Sequence, residues 1–133
     1  MELLFCILIA ICIFMSFKTV VVACLQKSFL SFETIIIITY LYFSLFVGFG
    51  MIYLICTQSN LLVLIEAGNP ISGDYFDKLI TSLYFSAVTL FSVGYGDIVP
   101  IGIGRYLAVI EALIGYVLPV VFLARTVIEI EKK

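Results

Sequence analysis

Read for its apolar and polar positions, the chain divides into long apolar runs separated by short polar breaks. The first run, Leu3–Leu25, is interrupted only by Ser16, Lys18 and Thr19. As a helix it would reach roughly 34 Å, against a bilayer hydrocarbon core of about 30 Å. Lys18 would then lie deep in the span and need to snorkel or find a partner, so a helix lying along the cytoplasmic interface is the competing reading. The start, Met-Glu-Leu-Leu, is acidic where a cleaved signal peptide carries basic residues. After the polar break Gln26–Thr34, Ile35–Cys56 is an unbroken run of 22 uncharged, mostly apolar residues. This is the clearest spanning helix. Tyr40, Tyr42 and Tyr53 lie towards its ends, where amphipathic rings suit the headgroup region. Gly48 and Gly50 would let a neighbouring helix come close.

Residues 57–75 gather Gly68, Asn69, Pro70, Gly73 and Asp74, and so predict an exposed loop. The apolar patch Leu61–Ile65 within it reads either as plain loop or as a short helix capping the outer surface. Phe76–Phe91 favours a helix, with Asp74 as N-cap and Asp77 in the first turn. At roughly 24 Å it is too short for a comfortable crossing, and it reads as a re-entrant helix that enters the membrane and stops. Ser92–Asp97 and Ile98-Val99-Pro100 follow, then a second spanning helix from about Gly102 to Ile128. The expected fold is an all-α membrane protein with two parts. Residues 1–34 form an N-terminal helix, interfacial or spanning, and a linker. Residues 35–133 form one unit of outer helix 35–56, loop 57–75, re-entrant helix 76–91, irregular segment 92–97 and inner helix 102–128.

Composition sharpens this picture. With 64% apolar and 12% charged residues, the chain is far from the balance of a soluble domain. A net charge of -2, scattered along the chain, offers no surface for nucleic acid and no polybasic arm for lipid. No histidine is present, which excludes imidazole catalysis and histidine metal sites. The four cysteines stand singly in apolar runs, forming neither a disulfide ladder nor a CxxC pair. Placing the 57–78 loop outside leaves Lys27, Arg125, Lys132 and Lys133 on the cytoplasmic side with the C-terminus, and only Lys78 and Arg105 out, as the positive-inside rule asks. So few helices cannot enclose a watery pathway, so conduction would require an oligomer.

The chemistry concentrates at Ser92–Gly96. Backbone that is neither helix nor barrel is tolerated at membrane depth only where it is buried in protein or lines a watery cavity. Gly94 and Gly96 can adopt conformations denied to other residues, letting successive carbonyls turn to one side. Four such strands around an axis would stack rings of oxygen able to replace the hydration shell of a potassium ion, with the Ser92 hydroxyl below. The re-entrant helix would aim its negative C-terminal end at the cavity beneath. In the inner helix, Pro119 removes a backbone donor and clashes with the preceding turn, predicting a bend around Gly115–Pro119. If Tyr116 faces the axis, Pro119, Val120 and Leu123 lie beside it as cavity or gate residues. Glu111, five positions from Tyr116 and about 140° around the helix, then faces away from the axis. It is expected behind the irregular segment, neutral or hydrogen-bonded to the re-entrant helix, rather than as a cavity charge.

Thr89-Leu90-Phe91-Ser92-Val93-Gly94-Tyr95-Gly96-Asp97 resembles the potassium-channel signature. Phe76–Val127 is similar to the pore helix, selectivity filter and inner helix of bacterial two-transmembrane potassium channels, with Ile35–Cys56 as their outer helix. Residues 1–34 lie outside the resemblance. It implies a homotetramer in the cell membrane that passes K+ without catalysis or an organic cofactor. The carbonyls of Ser92, Val93, Gly94 and Tyr95 would be the ion ligands, and Gly96 would complete the filter. Thr89 would stand behind the filter, Tyr95 would brace its width, and Asp97 would stand at the outer mouth. Gly115 falls at the family's hinge glycine, where a static bend and a moving hinge are both open. Two departures matter. Ser92 replaces the usual threonine, which keeps the oxygen and loses a methyl group. Val88 stands where some members carry a glutamate that pairs with the residue at Asp97, so Asp97 needs another partner. Tyr84, where a tryptophan often stands, is the candidate donor. A weakly selective cation channel of the same architecture, and a non-conducting membrane subunit, are the alternatives.

Overall fold

A computed structural model of the protein describes residues 32–59 and 61–131, together with positions 7–9, 11, 13–15 and 18 of the first apolar run. Those eight positions are helical. The rest of 1–31, with residues 26–31 of the expected linker, lies outside the described residues, as do Lys132 and Lys133; residues 32–34 of that linker are instead the start of the outer helix. The outer helix α1 runs Phe32–Gln58. Strands β1 (Leu64–Glu66) and β2 (Asn69–Pro70) follow, then the short helix α2 (Tyr75–Leu90), expected to be re-entrant, strand β3 (Ile98–Pro100) and the inner helix α3 (Ile103–Glu131). Helices α1 and α3 are both long and apolar enough to cross a membrane.

Helix α1 presents Leu41, Leu45, Phe49 and Tyr53, spaced every four residues and at most 6% exposed, to a core shared with Phe85 and Leu90 of α2. A stripe at this spacing occupies one helix face. Between helices in lipid such a stripe gains little from the hydrophobic effect, because acyl chains are as apolar as leucine; close packing and polar ties must hold it. The two glycines of α1 each serve one neighbour. A Cβ at Gly50 would stand 2.6 Å from Cδ2 of Leu83 in α2, and one at Gly48 would stand 2.7 Å from Cδ1 of Ile13 in the N-terminal run.

The outer loop is more ordered than its composition suggests. It forms a three-stranded antiparallel sheet in the order β2-β1-β3, with Ile65 opposite both Pro70 and Val99. The hairpin turns through Ala67 and Gly68, whose φ values of 49° and 83° are those of a two-residue turn matched to strand twist. Leu61–Ile65 is therefore not a capping helix: its last residues are strand, held by pairing to Pro100 and Val99 more than thirty positions away. Helix α2 begins as expected, with the Asp77 carboxylate accepting the Asp74 N–H at 3.2 Å.

Helix α3 buries a narrow stripe, Gly104, Ala108, Glu111 and Gly115, while Tyr106, Val109, Ile110, Leu113 and Tyr116 are exposed. Small residues permit two backbone contacts. A Cβ on Gly104 would run into the Val63 carbonyl, and one on Gly115 into the Leu90 carbonyl at the end of α2. The helix continues through Pro119.

Candidate selectivity filter and its supports

Residues 91–97 are exposed throughout in the single subunit. Their backbone alternates. Ser92, Gly94 and Gly96 have φ of 56°, 60° and 79°, whereas Val93 and Tyr95 are not in the positive region. Alternation between right- and left-handed conformations collects the amides on one side and the carbonyls on the other. Among the described residues, nothing beyond the chain neighbours lies within 4 Å of where a Cβ would stand at Gly94 or Gly96, so glycine answers here to backbone conformation rather than to space. Ser92 adopts the same handedness with a side chain, at a cost of about 1–2 kcal/mol. Only the two glycines had announced this conformation in the sequence.

The first three amides of Ser92–Gly96 are spent on α2. Ser92 N–H donates to the Thr89 carbonyl at 3.1 Å, and Val93 and Gly94 N–H both donate to the Val88 carbonyl at 2.9 and 3.1 Å. Val88 thus supports the segment through its main chain, with its side chain buried. Tyr95, 72% exposed, turns its ring away from its own subunit's core. At the outer end Tyr84 Oη donates to Asp97 Oδ2 at 2.7 Å, and Asp97 Oδ1 accepts the Ile98 N–H at 3.1 Å. The partner Asp97 was expected to need is therefore Tyr84. Arg105 Nε donates to the Pro100 carbonyl at 3.3 Å, anchoring the start of α3 to the strand that leaves the segment.

Glu111 is fully buried at the meeting of three helices. One carboxyl oxygen accepts from Tyr53 Oη of α1 at 2.9 Å and the other contacts Ser86 Oγ of α2. Ser86 Oγ also donates to the Phe46 carbonyl of α1 at 2.9 Å. The expected tie from Glu111 to α2 is present and is made by Ser86, which no motif in the sequence singles out; Tyr53, expected in the headgroup region, is the second partner. Tyr53 is instead 0% exposed and meets Phe85 edge-to-face at 5.0 Å between centroids. Its spacing from Leu41, Leu45 and Phe49 is the signal that could have placed it inside. Ser82, one turn before Ser86, has a buried hydroxyl without a partner among the described residues.

Below the segment, Tyr42, Leu90, Phe91, Ser92, Gly115, Tyr116, Pro119 and Val120 line a cavity of about 450 Å³. Ser92 and the predicted gate residues Gly115, Tyr116 and Pro119 are thereby brought together; Leu123, 63% exposed, is not part of this lining. Tyr42, also assigned to the headgroups, donates its hydroxyl to the Gly115 carbonyl at 3.0 Å and stacks on Phe91 at 6.0 Å. The C-terminal end of α2 borders the same cavity, and the negative end of its dipole favours a cation there.

A family model described as an ion channel matches residues 3–132. Among characterised proteins, the chain is 42% identical over 100 residues to protein LctB of Bacillus caldotenax, covering 75% of each chain. It is 38% identical over 104 residues to protein LctB of Geobacillus stearothermophilus, covering 78% of each. No solved structure matches it. With two helices fit to span a bilayer, a shorter helix between them and a match over nearly its whole length, this chain belongs to the ion channel family.

Proposed function

We propose that the chain is the pore-forming subunit of a potassium-selective channel, four copies surrounding one filter. The observation that carries this reading is the alternating backbone of Ser92-Val93-Gly94-Tyr95-Gly96, whose first three amides are tied back to α2. Carbonyls of Ser92, Val93, Gly94 and Tyr95, with the Ser92 hydroxyl, would replace the water around K+. A strand exposed in one subunit at membrane depth requires further copies to enclose it. Transport is passive, down the electrochemical gradient, with no covalent chemistry and no organic cofactor.

The C-terminus is placed in the cytoplasm by the basic residues around it. The contact between Ile13 and Gly48 favours a crossing by the N-terminal run over an interfacial helix. Gly48 lies 13 residues from Ile35, about 20 Å along α1, which is beyond the bilayer midplane. A helix resting on the inner surface would not reach it. The N-terminus is then outside.

Ser92 supports a second reading. A serine held left-handed at the innermost filter position, without the methyl of threonine, favours weaker discrimination against Na+. The test is flux from purified protein in liposomes, followed by reversal potentials in mixed Na+ and K+. Potassium selectivity that is lost on Gly94→Ala supports the proposal. A reversal potential indifferent to the cation selects the weakly selective channel, and the absence of any flux overturns both.

A further inference from the structure

Glu111 stands in an arrangement whose hydrogen bonds can be counted. Ser86 Oγ carries one hydrogen but has two oxygen neighbours within hydrogen-bonding distance, the Phe46 carbonyl and Glu111 Oε1. A carbonyl cannot donate, so the Ser86 hydrogen belongs to Phe46. The hydrogen between Ser86 and Glu111 must then come from the carboxyl. On the other side, Tyr53 Oη supplies its hydrogen to Glu111 Oε2. An ionised carboxylate would leave either the Ser86–Phe46 pair or the Ser86–Glu111 pair as two facing lone pairs. No basic side chain reaches Glu111 among the described residues, and an isolated buried carboxylate is strongly disfavoured.

We infer that Glu111 is held as the neutral acid and donates to Ser86, closing a directional relay from Tyr53 through Glu111 and Ser86 to the Phe46 carbonyl. Within this relay Glu111 and Ser86 each accept from the group before and donate to the group after. The relay ties α1, α2 and α3 together behind the filter, where packing in lipid alone supplies little direction. Ser86 lies two residues before Val88, whose carbonyl holds two filter amides. Glu111 therefore acts as a positioning residue for the filter and touches no ion itself.

Two measurements on the full chain test this. The first is the infrared difference spectrum between wild type and Glu111→Gln in lipid at neutral pH. It should show the C=O stretch of one protonated carboxyl, lost in the variant, and no carboxylate difference. The second is thermal unfolding. Glutamine can donate from its amide to Ser86 and accept from Tyr53, so Glu111→Gln should unfold near the wild-type temperature. Glu111→Leu leaves the Tyr53 hydroxyl without its acceptor and Ser86 without its donor, and should lower the folded-to-unfolded ratio by about tenfold or more. A carboxylate signature at Glu111, or a Glu111→Gln variant as unstable as Glu111→Leu, overturns the relay. Neither readout depends on conduction. Flux in the same preparations separates the two claims: a relay signature without flux counts against the channel reading alone, and flux without the signature counts against the relay alone.

Discussion

Tyr42 Oη donates to the Gly115 carbonyl at 3.0 Å, and that carbonyl is the one whose helical donor is missing, because residue 119 is proline. In an unbroken helix the N–H of residue 119 would bond the carbonyl of residue 115. Proline has none, and a hydroxyl from the outer helix takes its place. Tyr42→Phe should therefore destabilise the fold by about 1–3 kcal/mol, the cost of leaving a buried acceptor unpaired. In a Pro119→Ala background, where the helix supplies its own donor, the same change should cost clearly less. Thermal unfolding of the four variants measures the coupling, and strictly additive effects would show that the two features are unrelated.

Gly115 is pressed against the end of α2, and a methyl group there would meet the Leu90 carbonyl. Gly115→Ala should push α3 away from the filter's base, with a loss of about 1–3 kcal/mol typical of overpacking and a fall in K+ flux. A glycine serving only as a hinge would behave otherwise. Unaltered unfolding with slowed opening in bilayer recordings would favour that role over the packing role.

Tyr84 and Asp97 meet at the outer mouth through one hydrogen bond of 2.7 Å. Tyr84→Phe should speed the decay of current during sustained opening, because Asp97 loses one of its two donors. In an Asp97→Asn background the same substitution should have a smaller effect. Current decay that is the same with and without the hydroxyl would remove Tyr84 from the filter's supports.

The seat of Ile13 against Gly48 predicts an outside N-terminus. An epitope fused to Met1 should be reached by antibody in intact spheroplasts, while one fused to Lys133 should be reached only after permeabilisation. Protection of both would restore the interfacial reading of the first run.

The two spanning helices, the short re-entrant helix and its Asp74–Asp77 start were legible because each is encoded locally, by run length or by a cap. The unusual backbone of 92–96 was legible because Gly94 and Gly96 mark it directly. The sheet was not, since β1 and β3 have three residues each and their pairing joins positions distant in sequence. Tyr42 and Tyr53 were misplaced for a physical reason. Near a helix end a tyrosine suits the headgroups equally well, and only its partner decides; those partners, Gly115 and Glu111, lie on a different helix. Ser92's left-handed turn is likewise imposed by the alternation around it rather than by its own residue type.

The sheet at the outer surface has a mechanical consequence. Strand β3 is paired to β1, Ile101 N–H donates to the Val63 carbonyl at 2.8 Å, and Gly104 rests on the same carbonyl. The upper ends of loop and inner helix are thereby clamped into one block, with the filter's exit inside it. Such a subunit is a lever with its pivot at the top. In the proposed channel, a movement of α3 that leaves the filter intact would be confined to the part below the Leu90–Gly115 contact, its travel growing with distance from that contact.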